Sequence, residues 1–327
     1  MLPTPNRTGY LRISCRNPRF RVEARHASPL QVDREGVSLY FFSLFLTAAT
    51  FLLILAGGLV TSHEAGLAVP DWPLSYGQAF PPMVGNIFWE HGHRMIAGTV
   101  GILTLLLALW IQIAEKQTWI KRLAWIAFGA VVLQALLGGL TVLYLLPAPI
   151  SIFHACLAQA FFCLVIAIAF FLRPVDKVGA PLAGARTGRG QAPPLHSDQF
   201  KLKRLSCITV GVIYAQLILG ATVRHTSSGH AVVAHVVLAF AVMVHVFMLA
   251  GRIMRLLPHS ALFKPAVALG FLTMTQFFLG IGSFVLTRMI EQSYAPSKAA
   301  VFMTATHQTN GAVILGATVL IALMVSR

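Results

Sequence analysis

Four histidines recur at equivalent places in a strongly apolar sequence: His93, His154, His235 and His307. Histidine is costly in hydrocarbon and usually faces the interior of a helix bundle, a cavity or a cofactor. A single histidine of this kind is more often a hydrogen-bonded packing residue, but four at repeated positions reverse that expectation. Two facing pairs can each supply the two axial nitrogens that a heme iron takes, so the sequence indicates two heme sites.

Zinc is the competing metal, but structural zinc sites generally take four ligands that include cysteine or acidic residues, which neither pair supplies. His245 lies on the helix of His235, about 15 Å further along its axis and on a different face, so both cannot bind one iron. The remaining histidines, which we expect to be solvated or to lie in inner segments, are His26, His63, His91, His196, His225, His230 and His259.

Glu90 is conspicuous because the chain has only ten acidic residues. It lies three residues before His93, so the two side chains share one face of a helix. One interpretation is that its carboxylate caps the N-terminus of that helix. The other is a carboxylate aimed at a heme edge, as a proton acceptor or as the partner of a developing positive charge.

The elements that position these residues are eight apolar runs, each near the roughly 20 residues that a helix needs to cross a bilayer. With 57% hydrophobic residues, 11% charged residues and a mean hydropathy of +0.74, the chain is too apolar for a soluble globular protein. The runs are continuous rather than alternating, which favours helices over barrel strands. They span residues 40–61, 92–113, 121–145, 152–172, 205–223, 232–251, 265–287 and 303–325.

A weak internal repeat divides these helices into pairs. The first helix of each pair ends in small residues, and the second opens with one of the four histidines. In the last three pairs a glutamine precedes the glycine by four residues, as Gln134, Gln216 and Gln276. We therefore predict an all-α integral membrane protein built as two tandem pseudo-symmetric four-helix bundles. The predicted parts are a basic arm, 1–38, a first bundle, 39–172, a linker, 173–204, and a second bundle, 205–327.

The net charge of +15 reflects membrane topology rather than nucleic-acid binding. Of the 25 lysines and arginines, only Arg94, Arg224, Arg288 and Lys298 lie outside the two termini and the segments 112–122, 173–204 and 251–264. The positive-inside rule then places both termini in the cytoplasm and the four histidines near the outer face. We expect a bacterial plasma (inner) membrane, with the mitochondrial inner membrane as the alternative if the basic arm is a targeting segment.

The segment 62–91 is the longest outward connection, and it contains Trp72 and Tyr76. Aromatic residues of this kind can anchor a loop at the membrane interface. Its length of about thirty residues instead favours a lid over the first-half site.

Several motifs together resemble the heme A synthase family over about residues 40–325. They are Gly57-Gly58-Leu59-Val60-Thr61, Gly66-Leu67, Asp71-Trp72-Pro73, Glu90 with His93-Arg94, and the single histidines that open helices four, six and eight. The resemblance implies that His235 and His307 bind a heme b cofactor, that His93 and His154 hold the substrate heme, and that Glu90 is catalytic. Some members carry a cysteine pair in an outward loop; this chain has Ala68 and Val69 there and resembles the cysteine-free branch.

The resemblance implies an oxidoreductase that converts the C8 methyl of heme O to the formyl group of heme A for terminal oxidase biogenesis. It also implies heme O synthase and the terminal oxidase assembly machinery as partners, together with an electron acceptor that the sequence does not identify. Two alternatives keep the four histidines without this chemistry. One is a di-heme b-type electron-transfer protein, and the other is a heme transporter or chaperone.

Overall fold

The computed structural model describes residues 34–174, 196–226, 228–290 and 295–327, and these form eight long α-helices. In chain order they are α1 (Arg34–Ser62), α2 (Gly85–Ala114), α3 (Thr118–Leu143), α4 (Ala148–Leu172), α5 (His196–His225), α6 (Gly229–Leu256), α7 (Phe263–Phe284) and α8 (Lys298–Ser326). A π-helical segment, Val285–Ile290, continues α7. No strand occurs in the described residues, and all eight helices are long and apolar enough to cross a membrane. The predicted all-α membrane fold is confirmed.

Each of the eight described helices begins before the apolar run that predicts it, because backbone hydrogen bonding continues into the polar flank. α1 begins at Arg34, inside the predicted arm, and α5 begins at His196, inside the predicted linker. Asp198 lies in the first turn of α5, where a carboxylate interacts favourably with the helix dipole. Most of the predicted arm and linker lies outside the described residues.

Each set of four consecutive helices has its own apolar core. One cluster includes Leu46, Leu107 and Ile168 from the first four helices, and another includes Leu249 and Leu315 from the last four. Clusters of this kind are what a two-bundle arrangement requires, although the division into two pseudo-symmetric bundles stays a prediction.

Contacts between the two sets of helices join α1 and α4 of the first set to α5 and α8 of the second. Tyr214 of α5 donates a hydrogen bond to the backbone carbonyl of Cys156 on α4, 3.0 Å away. Gly316 of α8 lies so close to α4 that an added Cβ would come within 2.7 Å of the Ile166 side chain. The residues from Glu35 to the C-terminus accordingly form one compact unit.

The connection between α1 and α2 is held by its own hydrogen bonds. The Asp71 carboxylate accepts backbone N–H groups of Tyr76 and Gly77 at 2.7 and 2.8 Å, and the Tyr76 hydroxyl donates to the carbonyl of Ala68 at 2.6 Å. The Gly77 N–H in particular, with that of Tyr76, holds the pKa of Asp71 below its usual range. Gly77 has a φ of +69°, a conformation that glycine adopts readily.

Candidate functional site

Each of the four predicted ligand histidines packs its imidazole against a glycine of the preceding helix. A Cβ built on the glycine would lie 3.0 to 3.2 Å from the Cε1 atom of the ring, closer than side chains normally pack. Any larger residue would therefore displace the ring. The four pairs are Gly57 with His93, Gly138 with His154, Gly220 with His235, and Gly280 with His307.

The glycines of the repeat therefore make room for the imidazoles, in addition to letting the helices pack closely. Small residues allow helices to approach closely in lipid. Here the missing side chain is what admits each imidazole to the space between two helices. This contact explains why the glycine and the histidine recur together in the sequence.

Each of these imidazoles also has a polar atom without a partner. The Nδ1 atoms of His93, His154, His235 and His307 are buried and form no hydrogen bond within the part of the chain that the structure describes. Buried polar atoms are nearly always satisfied, so the same exception at four equivalent positions marks the four histidines as one repeated arrangement.

The imidazoles of the second-half pair lie close together. The ring centroids of His235 and His307 are 6.3 Å apart, with the ring planes at 74°. If one nitrogen of each ring bound a metal ion from opposite sides at about 2 Å, the ring centroids would be separated by roughly this distance. His93 and His154 are seated on Gly57 of α1 and Gly138 of α3, within the same set of four helices.

These residues fit a heme better than a zinc ion. No cluster of three or more His, Cys, Asp or Glu side chains with metal-binding geometry occurs among the described residues, whereas zinc generally needs four ligands. A heme requires only two axial side chains, and each pair supplies two. The 6.3 Å spacing of the second pair agrees with that demand.

Glu90 is buried, with 3% of its surface exposed, and both of its oxygens accept hydrogen bonds. The backbone N–H of Val69 donates to Oε2 at 2.8 Å, and the Arg94 guanidinium donates to Oε1 at 2.5 Å. α2 begins at Gly85, more than one turn earlier, with Val84 as its N-cap residue. The interpretation of Glu90 as a helix cap is therefore wrong.

Arg94 fastens the 63–84 loop to α2. Besides its ion pair with Glu90, its guanidinium donates to the backbone carbonyls of Asp71, Leu74 and Val69 at 2.7, 2.8 and 3.3 Å. Sequence reasoning singled out Arg94 only as a motif residue and an outward cation. The scarcity of basic residues on the outer side of the membrane was the sequence signal that Arg94 has a specific role.

The same loop reaches α3 through Trp72. A Cβ on Gly139 would overlap the Trp72 indole, at 2.7 Å from its nearest atom, so the ring lies directly on the backbone of α3. The neighbouring residue, Gly138, contacts His154. The loop therefore packs beside the first-half histidine pair, where the sequence predicts a lid.

One histidine that we expected to be solvated, His91, is buried, and another, His63, is partly covered by an aromatic ring. His91 is 6% exposed, its Nδ1 lies 2.8 Å from the Ser75 hydroxyl, and its Nε2 is buried without a partner. The 63–84 loop folds over His91. This coverage cannot be predicted from the position of His91 near a helix end. His63 stacks on Trp89 with centroids 4.2 Å apart, and burial lowers the pKa of its imidazole.

Comparisons with known proteins confirm the resemblance that the motifs indicate. Residues 83–235 match the model of a family described as cytochrome oxidase assembly protein. A heme A synthase from an Exiguobacterium species is 30% identical over 199 residues, covering 60% of this chain and 60% of that protein. The heme A synthase of Bacillus pumilus is 30% identical over 197 residues, or 58% of this chain and 60% of the relative.

A heme A synthase from Roseobacter denitrificans is 37% identical over 134 residues, covering 37% of this chain and 35% of that protein. The chain thus spans no more than 60% of the length of these curated relatives. The family match contains Glu90, His93 and His154 and ends at His235, so His307 lies beyond it.

Proposed function

We propose that this relative of heme A synthases is itself a membrane oxidoreductase that converts the C8 methyl of heme O to the formyl group of heme A. The observation that carries the proposal is the repeated imidazole site: two pairs of histidines, each ring seated on a glycine of the preceding helix. The relatives support this assignment because the family match includes three of the four histidines.

The two pairs have different tasks in this proposal. His93 and His154 hold the substrate heme in the first four-helix bundle, next to the loop that Arg94 fastens. His235 and His307 hold a heme b cofactor in the second bundle, which has no comparable loop in the described residues. When bound, iron porphyrin would supply the oxidising power that an unactivated methyl needs at the first site and electron transfer at the second.

Glu90 acts in this proposal as a fixed negative charge beside the substrate. Both of its oxygens already accept hydrogen bonds from Val69 and Arg94, so the geometry suits electrostatic stabilisation better than proton abstraction. A buried carboxylate held by two donors needs no reorganisation when positive charge develops nearby. Trp72, which packs on the backbone of α3, would exclude water from the same region.

We also propose a cellular setting for this reaction. The chain lies in a bilayer, in a bacterial plasma membrane with both termini in the cytoplasm, and binds no nucleic acid. It receives heme O from heme O synthase, passes electrons to a separate acceptor and serves the terminal oxidase assembly machinery.

Analysis of extracted pigments tests this function directly. The purified chain, expressed together with heme O synthase, should contain heme B together with heme O or heme A, and heme A should increase with turnover. Heme B alone would contradict the proposal and favour an electron-transfer protein. Heme that passes through unchanged would favour a transporter.

A second test addresses the cofactor site. Replacing His235 or His307 with leucine should abolish the low-spin heme b spectrum while the protein still inserts. His245→Leu on the same helix is the matched control, because its ring Nδ1 lies 2.8 Å from the Ala241 carbonyl rather than in the pair. Retention of six-coordinate low-spin heme b in both ligand variants would refute the assignment.

A further inference from the structure

Three of the four imidazoles face a glutamine from the preceding helix. Gln134, Gln216 and Gln276 each lie one turn before the glycine that seats the ring. In each case the amide Nε2 lies near the Nε2 atom of the histidine. The distances are 3.3 Å for His154, 3.3 Å for His235 and 3.4 Å for His307.

Further hydrogen bonds fix which end of each amide faces the ring. Gln134 and Gln216 also donate Nε2–H to the backbone carbonyls of His154 and His235, at 3.0 and 2.9 Å. A carbonyl can only accept, so the amide nitrogen must lie on this side. For Gln276, the amide oxygen accepts from Asn310 Nδ2 at 2.8 Å, which leaves its nitrogen towards His307.

An amide nitrogen donates and cannot accept, so each of these three rings accepts at Nε2 and carries its proton on Nδ1. The Nε2 lone pair is therefore already engaged. A metal ion binds imidazole through a lone pair, so the glutamine must move aside before Nε2 can become a ligand.

His93 lacks this arrangement. Its ring is seated on Gly57 as the others are seated on their glycines, with the built Cβ 3.1 Å from Cε1. One turn before Gly57, however, the chain has Leu53, which packs with the first-half apolar core. The Nδ1 atom of His93 has no hydrogen-bond partner among the described residues, and leucine offers Nε2 no donor like the glutamine amide of the other three sites.

We propose that His93 is the ligand that captures the incoming substrate heme first, and that Gln134, Gln216 and Gln276 are positioning residues that occupy the lone pairs of the other three ligands until heme displaces them. This inference rests on the proposed function. A pair in which one ring has an unoccupied Nε2 lone pair suits a heme that arrives at every turnover. A pair in which glutamines occupy both Nε2 lone pairs suits a cofactor that is bound once and retained.

The test is the rate at which heme-free, full-length protein in lipid nanodiscs binds hemin, followed by Soret absorbance after rapid mixing. The first-half phase is identified by its loss in His93→Leu. Leu53→Gln should slow this phase roughly three- to tenfold, the factor that one neutral hydrogen bond contributes. Leu53→Met, which adds no donor, is the matched control and should bind at the parent rate.

Two further measurements keep the inference testable if Leu53→Gln folds poorly. Gln134→Leu should accelerate the later change to a six-coordinate spectrum about threefold or more without altering the initial capture. In heme-free protein, ¹⁵N resonances should show the Nδ1–H form with an accepting Nε2 for His154, His235 and His307. The His93 ring should lack the hydrogen-bonded Nε2 signature.

Equal capture rates in Leu53→Gln and Leu53→Met, or no acceleration in Gln134→Leu, would overturn the inference while leaving the proposed function intact. Absence in the parent protein of any hemin-binding phase that depends on His93 would instead remove the substrate site itself. That result would refute the proposed function and this inference together.

Discussion

Arg94 and Glu90 form an ion pair across one turn of α2, with 2.5 Å between Nη2 and Oε1. The same arginine holds three backbone carbonyls of the 63–84 loop, and the same glutamate accepts the N–H of Val69 in that loop. The residue proposed to stabilise charge in the reaction therefore also holds the loop in place. Any test of Glu90 must separate these two roles.

Glu90→Gln makes that separation because glutamine keeps an oxygen that can accept a hydrogen bond but loses the negative charge. We expect the fold and the second-half heme b to be retained, while turnover of heme O falls about a hundredfold or more, as lost electrostatic stabilisation predicts. Heme O or a hydroxymethyl form should accumulate, measured by chromatography of extracted pigments.

Arg94→Lys serves as the comparison for Glu90→Gln, because lysine keeps a positive charge but cannot reach several loop carbonyls at once. It should loosen the loop, detected as faster proteolysis, with a smaller loss of turnover. If Glu90→Gln converts heme O to heme A at the parent rate, Glu90 has no role in the reaction and only secures the loop.

Gly220→Val should displace the His235 imidazole and abolish the low-spin heme b spectrum. The added side chain would enter space that the ring occupies at 3.1 Å, and overpacking of this kind typically costs about 1–3 kcal/mol. Gly211→Val on the same helix is the matched control, since a Cβ there meets nothing within 4 Å. Equal heme b content in the two variants would show that the glycine contact is not needed for binding.

The pH dependence of the 63–84 loop should follow Asp71. Because the Gly77 and Tyr76 amides lower its pKa in the folded protein, the ionised carboxylate stabilises the loop above its ordinary pKa of 3.8. That stabilisation is lost as the pH falls through the lowered folded-state pKa. Hydrogen exchange at Tyr76 and Gly77 should therefore lose protection in strong acid, after correction for intrinsic exchange rates.

In Asp71→Asn the two amides should be less protected at neutral pH, and the acid-dependent change should disappear. Protection that falls in the same way with pH in parent and variant would assign the pH dependence to another group.

The orientation of the chain can be tested with single cysteines in a background from which Cys15, Cys156, Cys163 and Cys207 have been removed. Ala79, in the 63–84 loop, and Lys116, between α2 and α3, are both exposed. Ala79→Cys should react with an impermeant thiol reagent added outside intact cells, and Lys116→Cys should react only after lysis. The reverse pattern would place the four histidines near the inner face.

Hydropathy and residue spacing were sufficient to predict the eight helices and the four histidines as one repeated set. Crossing a bilayer demands about 20 apolar residues with every backbone group bonded inside the helix, and that demand is visible in the sequence itself. The helix ends were predicted less well, because Arg34 and His196 begin helices in polar segments that hydropathy does not mark.

The environment of each site residue was decided by the tertiary structure. Glu90 pairs with Arg94 and Val69 rather than capping a helix, and His91 is covered by the loop instead of being solvated. Contacts between residues as far apart as Trp72 and Gly139 depend on how helices and loops pack, and no local period in the sequence records them. The sequence shows whether a glutamine or a leucine lies one turn before each glycine. The effect of that residue on the lone pair of the histidine ring arises only when the two helices pack side by side.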